Sequence, residues 1–341
     1  LKIVLDKTKL SNLLILVAIV GILFFISMIA IAAGMGIDIG VILSMFVEGT
    51  FGSAFGILSV LRVTTGLVVV SLGLAVAFRV GVLNVGGDGQ MLWGALATMA
   101  VALYLDLPAP LMVVLIFVLS FLAGGGWGLI AGFLKAKWGV HELVSTLMLN
   151  FVAIATMIEI SSGPWQDPVV LIAMTKMIPE SIRFPFISYP LNSVFIIALA
   201  LIPVVYVLMN KTVVGYKIKV VGSNINAAEN AGMNNKKIIM LCMFISGGIC
   251  ALSGSLLVLG QYFRAEANMT GKFGFYGIVA AVLGKCRPEL MLVTSFILAF
   301  FITGTNSLRV LGVSGGFVDV IMGILFIVGI LPELLSRLRR R

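Results

Sequence analysis

The sequence predicts an all-α integral membrane protein, and three observations predict it. Of its 341 residues, 60% are hydrophobic and only 11% are charged, against about a quarter charged in an ordinary globular domain. Apolar runs of roughly 17 to 25 residues, each long enough to cross a bilayer as a helix, recur from one end to the other. The polar gaps between them are too short for a nucleotide-binding domain, a protease or a folded external module.

Read against turn signals, the runs predict about ten spans, near 12–34, 62–83, 88–105, 110–134, 142–161, 191–209, 237–260, 273–286, 289–308 and 317–332. Helices are the economical choice because a backbone in lipid must satisfy its own hydrogen bonds, and the alternation of a barrel strand is absent. The first run is longer than a cleavable signal core, so it reads as a retained helix, although Ala30-Ile31-Ala32 keeps a cleavage reading open. Residues 37–58 are apolar but interrupted by Gly36 at their start and by Gly40, Glu48, Gly49 and Gly52. They read as interfacial or re-entrant.

A net charge of +9 suggests nucleic acid in a soluble protein; here it marks orientation. With the N-terminus inside, the inner segments hold Lys2, Lys7, Lys9, Arg79, Lys135, Lys137, Lys211, Lys217, Lys219, Lys236, Lys237, Lys285, Arg287, Arg337, Arg339, Arg340 and Arg341, seventeen of the 23 basic residues. The outer segments keep Arg62, Lys176, Arg183, Arg264, Lys272 and Arg309. Both termini are therefore expected in the cytoplasm. Cys242, Cys250 and Cys286 fall within or at the ends of apolar runs, which supports packed thiols rather than disulfides or zinc.

Two interruptions occupy corresponding places in the two halves: Asn84-Val85-Gly86-Gly87-Asp88-Gly89-Gln90, and the stretch Gly271 to Gly277. Paired broken helices point to a transporter built from inverted repeats, here spans two to five against spans seven to ten. Gly139-Val140 and Gly312-Val313 read as equivalent turns. Asp88 and Gln90 are costly in apolar surroundings unless they face a polar path or a partner. Asn84, Gly86, Gly87, Asp88 and Gln90 are thus substrate-pathway candidates, the glycines allowing close backbone approach. The competing reading is that Asp88 caps the third span. Ser145, Thr146 and Asn150 form either a polar stripe toward the pathway or interhelical hydrogen bonds; Phe275 and Tyr276 either stack on a solute or anchor at the interface. His141 and Glu142 read chiefly as a helix start.

The loop 210–237 carries the clearest cytoplasmic feature. Its Ser223-Asn224-Ile225-Asn226-Ala227-Ala228-Glu229-Asn230-Ala231-Gly232 predicts a short helix capped by Asn224 and ended by Gly232, with alanines that let a partner surface approach. No phosphate-cradling Gly-x-x-x-x-Gly-Lys-Ser/Thr occurs; Val279 to Cys286 begins with Val and ends with Cys. Energy must then come from elsewhere. No catalytic constellation and no metal-ligand cluster is found either, which leaves an intramembrane hydrolase without its parts. An ion-coupled secondary transporter using Asp88, Glu159 or Asp319 stays open.

The loop resembles the coupling helix of ABC-importer permeases. Asn84 to Gln90, together with Gly139-Val140-His141-Glu142-Leu143-Val144-Ser145-Thr146-Leu147-Met148-Leu149-Asn150, resembles the simple-sugar and nucleoside branch of the branched-chain amino acid and ribose-type permeases. The likeness runs over 60–332. It implies a single permease domain over 1–341, of type II-like architecture, in a bacterial cytoplasmic membrane. The resemblance further implies partner ATPases that consume the ATP, a second permease as homodimer or heterodimer, and an extracytoplasmic lipoprotein or periplasmic binding protein. No cofactor is expected on this chain. Coupling falls to Asn224, Ala227, Ala228, Glu229, Ala231 and Gly232, and the solute is a nucleoside or simple sugar, with riboflavin or another heterocycle as the alternative. Many members carry Glu where Asp88 stands.

Overall fold

The computed structural model describes residues 36–314 without interruption, with single positions between 26 and 34 and between 316 and 327 besides. The predicted spans 12–34 and 317–332 and both termini lie outside the continuously described residues. The chain divides into two units, Leu1–Val60 with Ile297–Arg341, and Leu61–Phe296.

The helices, in order, are α1 (Ile39–Glu48), α2 (Ala54–Arg79), α3 (Gly87–Tyr104), α4 (Ala109–Trp138), α5 (Glu142–Ser162), α6 (Val194–Lys211), α7 (Val213–Ser223), α8 (Ile225–Asn230), α9 (Asn235–Leu257), α10 (Phe273–Leu283) and α11 (Pro288–Ser307). A π-helical turn, Val258–Tyr262, prolongs α9, and a two-stranded hairpin, β1 (Phe186–Ser188) with β2 (Leu191–Asn192), precedes α6. Among the described residues, α2, α4, α5, α6, α9 with its π turn, and α11 with its 3-10 extension are long and apolar enough to cross a membrane. The polar first turn of α3, Asp88 and Gln90, lowers its mean hydropathy. At 11 residues α10 is about 16 Å long, too short to cross about 30 Å of hydrocarbon alone.

Two boundaries differ from expectation. The second span begins at Ala54 rather than 62, so the end of the segment read as interfacial belongs to α2. Within α2, Gly56 packs on the backbone of Gly49 and Thr50 without breaking the helix. The remainder, α1, is a ten-residue helix started by Asp38, whose Oδ1 accepts the Gly40 amide at 2.7 Å. Within that unit Phe300 meets Phe46 edge-on and stacks on Phe51, and Ser307 Oγ donates to the Met45 carbonyl at 3.0 Å.

In the larger unit α9 packs along α3 and α4 at backbone contact. A Cβ on Gly94 would overlap the Ala251 carbonyl, and one on Gly254 the Met91 carbonyl. Lipid tails are as apolar as leucine, so helices associate in a membrane through such close approach and through interhelical hydrogen bonds. Both occur here. The Gly94 carbonyl accepts hydroxyls from Thr98 at 2.9 Å, Ser120 at 3.0 Å and Ser255 at 3.3 Å, drawing on all three helices. Ser253 Oγ donates to the Gly66 carbonyl of α2 at 2.8 Å, and the buried Cys242 thiol donates to the Val76 carbonyl. α2 and α9 are the most enclosed of the spanning helices, with 89% and 78% of their apolar windows buried.

Candidate functional site at a pair of interrupted helices

The chain leaves α2 at Arg79, has no regular structure over 82–85, and restarts as α3 at Gly87. That restart exposes backbone donors and acceptors that no helix satisfies, and side chains from α5, together with Asn84, take them up. Asn150 Oδ1 accepts the Gly89 amide at 2.8 Å while its Nδ2 donates to the Val85 carbonyl at 2.9 Å. Thr146 Oγ1 accepts the Val85 amide at 3.2 Å. Asn84 accepts the Gly86 amide and the Gln90 Nε2, and donates to Gln90 Oε1 and Ser246 Oγ, both at 3.0 Å. Asn84, Gln90, Thr146 and Asn150 are all buried.

The second interruption meets the first. After the π turn the chain passes Phe263, left-handed at φ 58°, and Lys272, left-handed at φ 64°, before α10 starts. Asp88 Oδ1 accepts the Gly274 amide at 2.9 Å, and the Phe275 amide and Thr270 hydroxyl are also turned on this carboxylate. Two helix N-termini, each the positive end of a dipole, thus converge on one acidic side chain. Gly274 is obligatory there, since a Cβ would sit 2.8 Å from the Asp88 carboxyl carbon, and Gly87 approaches the Gly274 Cα.

The structure brings together Asn84, Gly86, Gly87, Asp88, Gln90, Thr146 and Asn150. Ser145 stands apart, its hydroxyl bonded back to the Glu142 carbonyl of its own helix at 3.2 Å. Phe275 is 41% exposed whereas Tyr276 is buried, so the two rings do not form one stacking face. His141 caps α5, its Nδ1 accepting the Leu143 amide at 3.4 Å. Glu142 does more than start the helix: it pairs with Lys135 at the end of α4 and accepts the Leu83 amide at 3.4 Å. Ser246 and Thr270 were missed. Ser246 sits in a small-residue run of α9 that reads as packing, and only its distance to Asn84 reveals a role.

At the lysine-rich helix ends, α8 is the short capped helix expected in the loop, and α7 precedes it as a second helix. Asn224 separates them and caps α8, its Oδ1 accepting amides from Asn226 at 3.1 Å and Ala227 at 3.0 Å. Gly232 closes the turn at φ 75°. Ala227, Glu229 and Ala231 are exposed, but Ala228, expected on the same contact face, is fully buried. A six-residue helix cannot show every side, and Ala228 takes the inward one, with its carbonyl accepting the Met233 amide at 3.0 Å. A cleft of about 740 Å³ opens beside α8, lined by Lys135, Gly139, Ile225, Glu229, Met233 and Lys236 among others.

Residues 56–330 match the family described as "Branched-chain amino acid transport system / permease component". The chain belongs to that family. The permease is 32% identical to the guanosine ABC transporter permease of Bacillus subtilis over 94% of its own length and 93% of the relative's. It is 30% identical to the glucose ABC transporter permease of Haloferax volcanii, over 86% and 81% of the two chains. It is also 30% identical to the nucleoside ABC transporter permease of Lactococcus lactis, over 79% and 78%. No solved structure matches. The permease is thus a multi-pass membrane protein of the sugar and nucleoside branch, and the interrupted helices and α8 lie inside the matched residues.

Proposed function

We propose that this permease forms, with a second permease of its kind, the membrane channel of an ATP-driven importer for nucleosides. The near full-length likeness to the guanosine permease carries the substrate class. Cytoplasmic ATPases dock on α8 through Ala227, Glu229 and Ala231, and an external binding protein delivers the solute. The cytoplasmic face is then the one bearing Lys135, Lys211, Lys236 and Lys285, with both termini beside it.

The solute route runs past the interrupted helices. Asn84, Thr146 and Asn150 hold the break in shape, because their donors and acceptors serve the restarted backbone, and Gln90 holds Asn84. Gly86, Gly87 and Asp88, with the exposed Phe275 and its neighbour Tyr276, border the route where the N-termini of α3 and α10 meet. Gly139 and Gly312, both left-handed after a helix end, support the paired-repeat reading and, with the spans 12–34 and 317–332, a total of ten crossings.

Reconstitution tests this. The permease with its ATPases and binding protein in proteoliposomes is expected to accumulate labelled guanosine only when ATP is supplied. The permease alone, under a proton or sodium gradient, is expected to accumulate none; uptake by the chain alone would overturn the proposal.

A further inference from the structure

One charged side chain of the larger unit has no use in the site above. Arg62 lies eight residues into α2, about 12 Å along the axis, on the most enclosed of the spanning helices. Its Nε is buried with no hydrogen-bond partner, and among the described residues no carboxylate lies within ion-pair distance. A cation in a spanning helix is expensive and marks a functional site by default. Snorkelling to the headgroups, the usual relief, does nothing for the Nε, which is packed into the protein.

What surrounds it is polar and unusual in backbone. One turn further along α2, Gly66 packs on Phe273, the first residue of α10, and Ser253 bonds the Gly66 carbonyl. Arg62 therefore sits just beyond the interrupted helices, on the side away from the lysine-rich helix ends. α2 and α9 run antiparallel in contact, Cys242 on Val76, Cys250 on Val70 and Ser253 on Gly66, so the π turn brings Gln261 and Tyr262 level with Arg62, and Glu266 follows where its charge bears on the Tyr262 hydroxyl. Arg62, Gln261, Tyr262 and Glu266 are each half-buried. π turns recur at functional sites because the extra residue re-aims side chains. The turn is pinned from behind by Phe263, over whose ring the Arg183 guanidinium lies 5.3 Å from the centroid.

We propose that Arg62, Gln261, Tyr262 and Glu266 form a solute-contact station at the outer side of the break, suited to a neutral solute with a ring face and several hydroxyl and carbonyl groups. This rests on the importer reading above. The guanidinium donates to carbonyl or hydroxyl oxygens, Glu266 accepts from hydroxyls, Gln261 does both, and Tyr262 offers its ring. A nucleoside meets each requirement. The unpartnered Nε marks a guanidinium that the protein leaves unsatisfied, and the half-exposed end of that group is what meets the solute.

The test uses the complete importer in proteoliposomes with guanosine-loaded binding protein. Arg62→Met is expected to lower kcat at least about tenfold, the loss of one charged hydrogen bond, while the half-saturating binding-protein concentration stays within about twofold. Arg62→Lys is expected to fall between the two, keeping charge without the fork. A kcat for Arg62→Met within about twofold of the unmodified complex would overturn the station. Should that variant fail to assemble, Gln261→Cys decides. Its labelling by a membrane-impermeant thiol reagent is expected to slow under turnover with guanosine, and labelling that guanosine leaves unchanged would overturn it. If the unmodified complex imports glucose and ignores guanosine, the nucleoside reading falls by itself. The Arg62 comparison is then scored with glucose by the same criterion.

Discussion

Asp88 and Gly274, 186 residues apart, are joined by a 2.9 Å hydrogen bond from the glycine amide to the carboxylate. One acidic group therefore serves two helix starts. It lies in the first turn of α3 and accepts from the first turn of α10, so it belongs to neither helix alone. Asp88→Ala is expected to leave a buried amide without its acceptor and to cost about 1 to 3 kcal/mol, read as a lowered melting temperature of the purified permease. Asp88→Asn keeps an acceptor and loses only the charge facing two dipoles, so it is expected to lie between the two.

Close backbone contact between α3 and α9 gives a contrast between two glycines. Gly254→Ala would drive a methyl into the Met91 carbonyl, and Gly126, with nothing within 4 Å, has room. The first substitution is expected to destabilise by about 1 to 3 kcal/mol. The second is expected to be neutral or stabilising by up to about 1 kcal/mol, since alanine suits a helix interior better. Melting temperatures of the two variants, side by side, check the pair.

The exposure pattern of α8 makes a labelling prediction. In membranes containing the permease alone, cysteines at Ala227 and Ala231 are expected to react with a maleimide, and one at Ala228 to resist it. Adding the ATPase is expected to protect the first two. Equal reactivity at all three positions would show that α8 does not present the face described.

Asn224 caps α8 through two amides. Asn224→Ala is expected to cost about 1 kcal/mol of local stability, and because α8 is only six residues long that suffices to fray it. The expected signature is solute-driven ATP hydrolysis reduced severalfold with the ATPase still bound, measured by co-purification and phosphate release.

Glu142 is nearly buried and ties Lys135 to the Leu83 amide. Glu142→Gln and Lys135→Met are expected to be non-additive, with a coupling of about 0.5 to 3 kcal/mol in a double-mutant cycle on thermal stability. Strict additivity would mean that the pair contributes nothing.

The sequence disclosed the parts whose signal is local. Helix existence followed from uninterrupted apolar runs, the α8 cap from Asn224 and Gly232, and both interruptions from their glycines. It could not disclose which partners those interruptions find. Asn84 and Ser246 are 162 residues apart, and no periodicity ties an amide in one break to a hydroxyl within an unbroken span. The same limit explains Ala228, since a run of alanines in a six-residue helix carries too little pattern to say which one turns inward. It explains Arg62 as well. Counted with the outer basic residues, it carries no further signal in the sequence, and its buried, unpartnered Nε shows only in the packing of α2.

The internal pairing of Asn84, Gln90, Thr146 and Asn150 bears on what the resting membrane must withstand. A gap in a helix at mid-bilayer invites water, and a file of water would drain the proton gradient that the cell maintains. Here the loose ends at the gap are already engaged by amides and hydroxyls of the same chain. An idle importer built this way is expected to pass no ions, read as an unchanged proton leak in proteoliposomes that hold it without ATP.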